Sequence, residues 1–150
     1  MFVAEKYEYT ADKTFKVYSF ISYGPKGAIH KIAKFNELYA DIYNFGFGDH
    51  DLVSGAFSDT RISNNEDMSI IMGTLGNIVY DFTNVFPNAK VMIRGTSIAR
   101  TRLYQMHINR FLPQLEPLFL IYGLRNERWE SLKQGRNYDA FLSYRRIIIQ

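Results

Sequence analysis

Between residues 94 and 102 the chain reads Arg94-Gly95-Thr96-Ser97-Ile98-Ala99-Arg100-Thr101-Arg102, a run whose residue types suit holding an anion. A helix predicted from Ile98 to about Leu112 would begin here, directly after a strand predicted over Ala89–Arg94. The first N–H groups of a helix lack intrahelical partners and carry about half a positive charge, so they make a cradle for an anion. Gly95 would let the chain turn steeply and a ligand approach the backbone, while Thr96 and Ser97 bring hydroxyls, Ser97 as the cap. Arg94, Arg100 and Arg102 bring cationic donors suited to phosphate or carboxylate. No Asp or Glu occupies the first turn, where helices usually place them, and two arginines there are electrostatically poor unless something negative sits nearby. On a helical wheel Arg100, Leu103, Tyr104, His107 and Phe111 share one side, and Arg102, Met106, Asn109 and Arg110 another. The two helix arginines are therefore expected to have different tasks. The candidate ligand-binding set is Arg94, Gly95, Thr96, Ser97, Arg100, Arg102, Tyr104 and His107, with no assignable catalytic residue. The competing reading of the same run is a capped strand-to-helix connection whose arginines bond to local carbonyls or acids. The run is not a Walker loop, because it lacks the GxxxxGK spacing.

Charge supports an anionic partner modestly. The formal net charge is +3, but residues 1–93 carry 8 Lys/Arg and 11 Asp/Glu, whereas residues 94–150 carry 10 and 4. Most of the C-terminal cations are arginine, which suits both phosphate and aromatic rings. The chain has no cysteine, which excludes disulfides, thiol catalysis and thiolate zinc sites. No apolar run approaches the roughly 20 residues needed to span a bilayer, and Met1 to Glu8 has neither the basic nor the apolar region of an export leader. The chain reads as cytoplasmic, with no membrane partner and no motif calling for a cofactor.

Other chemistry-bearing groups are weaker candidates. Asp49-His50-Asp51, with Asp59 and Asp67 downstream, has the composition of a metal or general-acid cluster, but in a glycine-flanked segment it reads first as a polar loop. His30 and His107 stand alone, without a nucleophile pattern, and fit buried hydrogen-bonding roles; no metal site is expected. His107 is the one general-base candidate near Arg100, should the chain act on a phosphorylated substrate. Tyr7, Tyr9, Tyr18, Tyr23, Phe45 and Phe47, interleaved with Lys6, Lys13, Lys16, Lys26, Lys31 and Lys34, have the makings of a stacking platform for single-stranded nucleic acid; they equally suit strands and a core. Tyr104, Phe111, Trp129 and Phe141 are the aromatic anchors of the alternative reading, an interface to a protein partner or a second copy.

The elements that must position these groups point to an α+β fold in a single domain spanning residues 1–150. Phe15 to Tyr23 alternates, Gly24-Pro25-Lys26-Gly27 is a turn signal, and Ala28 to Phe35 alternates again, which predicts a hairpin. Further strands are expected at Asp41–Phe47 and around Gly55–Asp59, completing an N-terminal antiparallel meander. Met68, Ile71, Met72, Leu75, Ile78, Val79 and Phe82 then recur at helical spacing, with Asn64 to Asp67 as cap and first-turn acids and Pro87-Asn88 as terminator. Gly73 and Gly76 inside this helix suggest close backbone approach, expected to the sheet. Pro113 and Pro117 argue against continuing the second helix past Leu112. Leu118–Gly123 is a strand candidate, Asn126–Lys133 a helical turn or two around Trp129, and Tyr138–Ile149 has no assignable period. Strands, then helix, strand, helix and strand also suit a ribonuclease-H-like order, although carboxylates for a metal-dependent nuclease are missing.

Lys6-Tyr7-Glu8-Tyr9, Gly24-Pro25-Lys26-Gly27, Asn44-Phe45-Gly46-Phe47-Gly48-Asp49, Gly95-Thr96-Ser97 with Arg100-Thr101-Arg102-Leu103-Tyr104-Gln105-Met106, and Tyr138-Asp139-Ala140-Phe141-Leu142 together resemble a bacterial domain-of-unknown-function family of about this length. The resemblance covers nearly the whole chain and brings no activity with it. It implies a complete single-domain protein, in a setting such as a toxin–antitoxin or phage-defence locus. Two functional expectations result: binding of a phosphate-bearing ligand, nucleic acid or nucleotide, at the strand–GTS–helix junction, or an antitoxin-like or homodimeric interaction module in which the junction is structural.

Overall fold

The computed structural model describes residues 4–55, 57–58 and 65–147. Its strands are β1 (Tyr9–Ala11), β2 (Val17–Gly24), β3 (Gly27–Tyr39), β4 (Ile42–His50), β5 (Phe57–Ser58), β6 (Lys90–Ile93), β7 (Phe119–Arg125), β8 (Arg128–Ser131) and β9 (Ala140–Arg145). Two helices, α1 (Met68–Val85) and α2 (Ile98–Leu115), flank β6 in sequence. All the strands join one mixed sheet, in the order β1-β2-β3-β4-β6-β9-β7-β8, with β5 on β4. The α+β class and the expected order of meander, helix, strand, helix and strand both hold.

The meander forms where alternation and turn chemistry agree. Gly24 pairs with Gly27 across Pro25-Lys26, and Gly27 takes φ 84°, a conformation a side chain would oppose. Helix α1 crosses over to bring β6 parallel to β4, with Ile42 opposite Lys90 and Asn44 opposite Met92, while β9 then pairs antiparallel to β6. The Phe82 ring of α1 stacks on Phe35 of the sheet at 3.7 Å, and Tyr43 meets Phe82 edge-on at 5.1 Å. Around this aromatic centre lie Tyr18, Phe45, Phe47, Ile71, Ile78 and Val91.

Helix α1 is anchored differently from its sequence expectation. It has no acidic residue in its first turn, and Asp67 at the cap position makes no side-chain cap bond. The Asp67 carboxylate instead accepts the Ser22 and Tyr7 hydroxyls, tying the helix start to β2 and to the N-terminal segment. Asn64 and Asp59 lie outside the described residues. At the other end Arg145 of β9 donates to the Tyr80 carbonyl at 2.9 Å and to Asn84 Oδ1 at 2.6 Å, supplying the cation that the last turn itself lacks. Gly73 meets the N-terminal segment rather than the sheet: a Cβ there would sit 2.2 Å from the Glu5 carbonyl oxygen.

Three C-terminal expectations are corrected. Helix α2 continues through Pro113 to Leu115; Pro113 is compatible with the final turn because the ladder resumes at once, Glu116 N–H donating to the Leu112 carbonyl at 2.9 Å. The segment expected as helix around Trp129 is instead β8, paired with β7 through a two-residue turn. Asn126 and Glu127 hold φ of 51° and 62°, the left-handed pair that matches the twist of a tight hairpin. The tail that shows no period contributes β9, central in the C-terminal half of the sheet and buried between β6 and β7.

Candidate functional site

The junction between β6 and α2 is closed by local hydrogen bonds. Ser97 is extended (φ −145°, ψ 163°), and its Oγ accepts the Arg100 N–H at 3.2 Å, as expected of the cap. Its carbonyl accepts the Thr101 N–H at 3.0 Å and the Thr101 hydroxyl at 3.1 Å. Thr101 Oγ1 in turn accepts the Gly95 N–H at 3.1 Å. A Cβ on Gly95 would lie 2.4 Å from the Thr101 nitrogen and 2.8 Å from Arg100 Cβ. Glycine is needed here because the first turn of α2 folds back over it, so the helix itself occupies the backbone approach that sequence reasoning reserved for a ligand.

The arginines divide as the helical wheel suggests. Arg100 Nη1 donates to Thr96 Oγ1 at 2.7 Å, within the junction. Arg102 Nη1 donates to the Tyr138 carbonyl at 2.6 Å and to Gln105 Oε1 at 3.4 Å, joining α2 to the connection between β8 and β9. Arg94 stands exposed at the end of β6, and Ile98 and Ala99 open α2 on the surface. Ile93 pairs with Phe141, Leu124 with Ala140, and Arg125 with Arg128. Arg94, Arg125 and Arg128 therefore share one end of the sheet with the α2 N-terminus.

Gln105 and Tyr138 organise this end, and sequence reasoning assigned a role to neither. Buried Gln105 accepts the Tyr138 N–H at 3.2 Å through Oε1 and donates through Nε2 to the Arg136 carbonyl. Tyr138 is fully buried, and its hydroxyl accepts the Lys133 N–H at 2.9 Å. The neighbours of Gln105 at helical spacing, Thr101, Arg102, Ile108 and Asn109, are mostly polar, so the helical pattern does not mark it as buried.

Tyr104 and His107 lie elsewhere. They line a partly open cavity of about 100 Å³ between α1, α2 and the sheet, with Met72, Leu75, Phe119 and Phe141 among the walls. His107 is 7% exposed, and its Nδ1 has no hydrogen-bond partner among the described residues. Burial pushes its pKa below the usual histidine value, and the Arg110 charge acts in the same direction. The unfolded chain therefore binds the proton more readily. Stability should fall as pH drops below about 6.5, and go on falling until the folded imidazole also protonates. Urea melts of the native chain and of His107→Gln should separate on acidification, the native chain losing more; parallel curves would show that His107 carries no such burden.

A family model matches residues 3–146, under the description family of unknown function (DUF6934). The chain belongs to this family. No curated protein and no solved structure matches it, so for this DUF6934 chain the ribonuclease-H-like likeness rests on element order alone.

The remaining candidates in this DUF6934 chain resolve into structure. Asp49 pairs with buried Lys31, Asp51 accepts the Val53 N–H at 2.9 Å, and Asp67 serves Ser22 and Tyr7. Among the described residues no group of three or more His, Asp or Glu could hold a metal ion. The aromatic platform is overturned: Tyr18, Phe45 and Phe47 are buried beneath α1, Lys31 is buried beside them, and the Tyr9 hydroxyl bonds to Asp81 of α1. No helix among the described residues is long and apolar enough to cross a membrane.

Proposed function

We propose that the chain is a cytoplasmic binding protein that takes a phosphate-bearing ligand, nucleic acid or nucleotide, at the sheet end carrying Arg94, Thr96, Ser97 and Arg100. The observation that carries this reading is electrostatic. An acid-free helix start, opening on the exposed residues Ile98 and Ala99, shares a sheet end with Arg94, Arg125 and Arg128. Arg102 is a brace rather than a contact, because its guanidinium is bonded to the Tyr138 carbonyl.

Fluorescence anisotropy of a labelled oligothymidylate across a salt series tests this. Arg94→Ala and Arg100→Ala should each weaken binding and reduce the log–log salt slope by about 0.7 per lost phosphate contact. Arg102→Ala should lower stability by about 1–3 kcal/mol and leave the slope unchanged wherever the variant is folded. Absence of salt-dependent binding at low ionic strength, to the oligonucleotide and to nucleoside triphosphates alike, would end the proposal.

One observation favours the interaction-module reading. Trp129 lies on β8, the edge strand among the described residues, and is 42% exposed, an aromatic anchor at the end of the sheet. The other anchors proposed for an interface point inward: Phe141 is buried, and Tyr104 and Phe111 line the cavity.

A further inference from the structure

We infer that the sheet face turned away from the helices stacks the bases of a single-stranded nucleic acid along a row formed by Tyr144, Tyr122 and Trp129. The inference rests on the phosphate reading and narrows its ligand from nucleic acid or nucleotide to a strand of several nucleotides. These aromatics are a different set from those buried beneath α1.

The row follows from register. Phe45, Ile93, Phe119, Ile121 and Phe141 line the cavity beneath α1 and α2, so both helices cover the same face of the sheet. Side chains alternate between faces along a strand, which sends Met92, Tyr122, Leu142 and Tyr144 to the opposite face. They lie outside the core cluster. Tyr144 pairs with Leu120, Tyr122 with Leu142 and Ser131, and Trp129 with Leu124. Each aromatic is therefore one strand across and two residues along from the last, a diagonal over β9, β7 and β8. Diagonal neighbours of an antiparallel sheet lie about 7–8 Å apart, within reach of aromatic side chains. The Tyr122 and Tyr144 rings are nearly parallel, 5.8 Å apart at 13°, with their hydroxyls 3.3 Å from each other. The pair is thus held in place before any base arrives.

Charge selects the occupant. Lys90, the register partner of Tyr144 on β6, holds its Nζ 5.1 Å from the Tyr144 ring centroid. The other end of the row, at Trp129, adjoins Arg125 and Arg128 on the sheet end that also carries Arg94. Across β2, β3, β4, β6, β7, β8 and β9 the positions facing away from the helices contain no Asp or Glu but include Lys34 and Lys90. A polyanion crosses this face without meeting a carboxylate. A second copy laid on it would set lysines against lysines with no carboxylate to pair them. Aromatic rings flanked by cations suit a single strand, because every base offers a π face while its phosphates need positive charge.

Fluorescence anisotropy with an oligonucleotide and an abasic strand of equal length, which keeps the phosphates and lacks the bases, tests the row. Oligothymidylate and oligouridylate are the base-bearing probes, the tighter of them separating DNA from RNA as the source. The native chain should bind the abasic strand about tenfold more weakly. Tyr122→Leu and Tyr144→Leu should each remove most of that preference and leave the salt slope unchanged, whereas Tyr144→Phe, which keeps the ring, should retain the preference. Equal affinity of the native chain for the two strands would overturn the inference; if Arg94→Ala and Arg100→Ala still reduced the salt slope, the phosphate reading would stand without it. A base preference that depends on the tyrosines, with a slope that neither arginine variant changes, would keep the row and remove the junction. A stable dimer that the leucine variants dissociate, seen by light scattering, would assign the face to a second copy and overturn the inference. If the tyrosine variants do not fold, Trp129→Leu and the abasic comparison in the native chain decide.

Discussion

Asp49→Ala should destabilise the protein by about 3–5 kcal/mol, a large share of the 5–15 kcal/mol that holds a typical domain folded. Lys31 and Asp49 are register partners across β3 and β4, and the Lys31 ammonium bonds to Asp49 Oδ1. The Lys31 side chain is fully buried and Asp49 is 20% exposed, so removing the carboxylate takes a charged partner from an ammonium held next to the Phe47 ring. The loss of that partner, rather than the strength of the pair, sets the magnitude. Replacing both residues, Lys31→Met with Asp49→Leu, should recover most of the loss, because a well-packed apolar pair often equals a buried ion pair. Chemical denaturation of the single and double variants checks this. A cost below about 1 kcal/mol for Asp49→Ala would mean that solvent or other polar groups compensate the Lys31 charge.

The same pair shows what local sequence conveys and what it omits. Asp49-His50-Asp51 has the look of a ligand cluster because its neighbours in sequence are polar; the deciding neighbour, Lys31, comes from another strand. Features written within a few residues are legible: the Gly24–Gly27 turn, the stripe of α1, β6, and the Ser97 cap. Features that depend on distant packing are not. The β7–β8 turn lacks the glycine that signals a left-handed pair, since Asn126 and Glu127 adopt it under the constraint of their strands. Asp67 has the position of a helix cap, but the hydroxyls of buried Ser22 and half-buried Tyr7 compete successfully for its carboxylate. In α2 the period separates the Arg100 side from the Arg102 side, and it cannot reveal that the Arg102 acceptor is the Tyr138 carbonyl. Periodicity likewise places Tyr104 and His107 on the Arg100 side without showing that they face a cavity.

Gly123→Ala is the second large expected loss, and it reaches the candidate site. Gly123 does not hold a positive φ, so its backbone permits alanine; the obstacle is the Tyr138 ring, whose atoms would lie 2.2–2.6 Å from the new Cβ. Tyr138 is fully buried and packs edge-on to Phe141 at 6.1 Å, which limits its retreat. Overpacking of this kind costs about 1–3 kcal/mol. The displacement would also strain every bond that Tyr138 makes: its carbonyl to Arg102, its N–H to Gln105 and its hydroxyl to Lys133. The connection carrying residues 132–139 should therefore loosen from α2 before the rest of the sheet does, with hydrogen exchange rising there and at the start of α2. Tyr138→Ala would itself be costly, about 3–5 kcal/mol if it behaves as other large aromatic truncations do, but it removes the ring that alanine at position 123 would strike. Adding Gly123→Ala to Tyr138→Ala should then cost little, and this non-additivity distinguishes a steric clash from a general intolerance of alanine in β7. Equal costs in both backgrounds would show that the ring does not set the requirement for glycine. Arg102 would then be held by a connection whose position does not depend on Gly123, and oligonucleotide binding by folded Gly123→Ala should match that of the native chain.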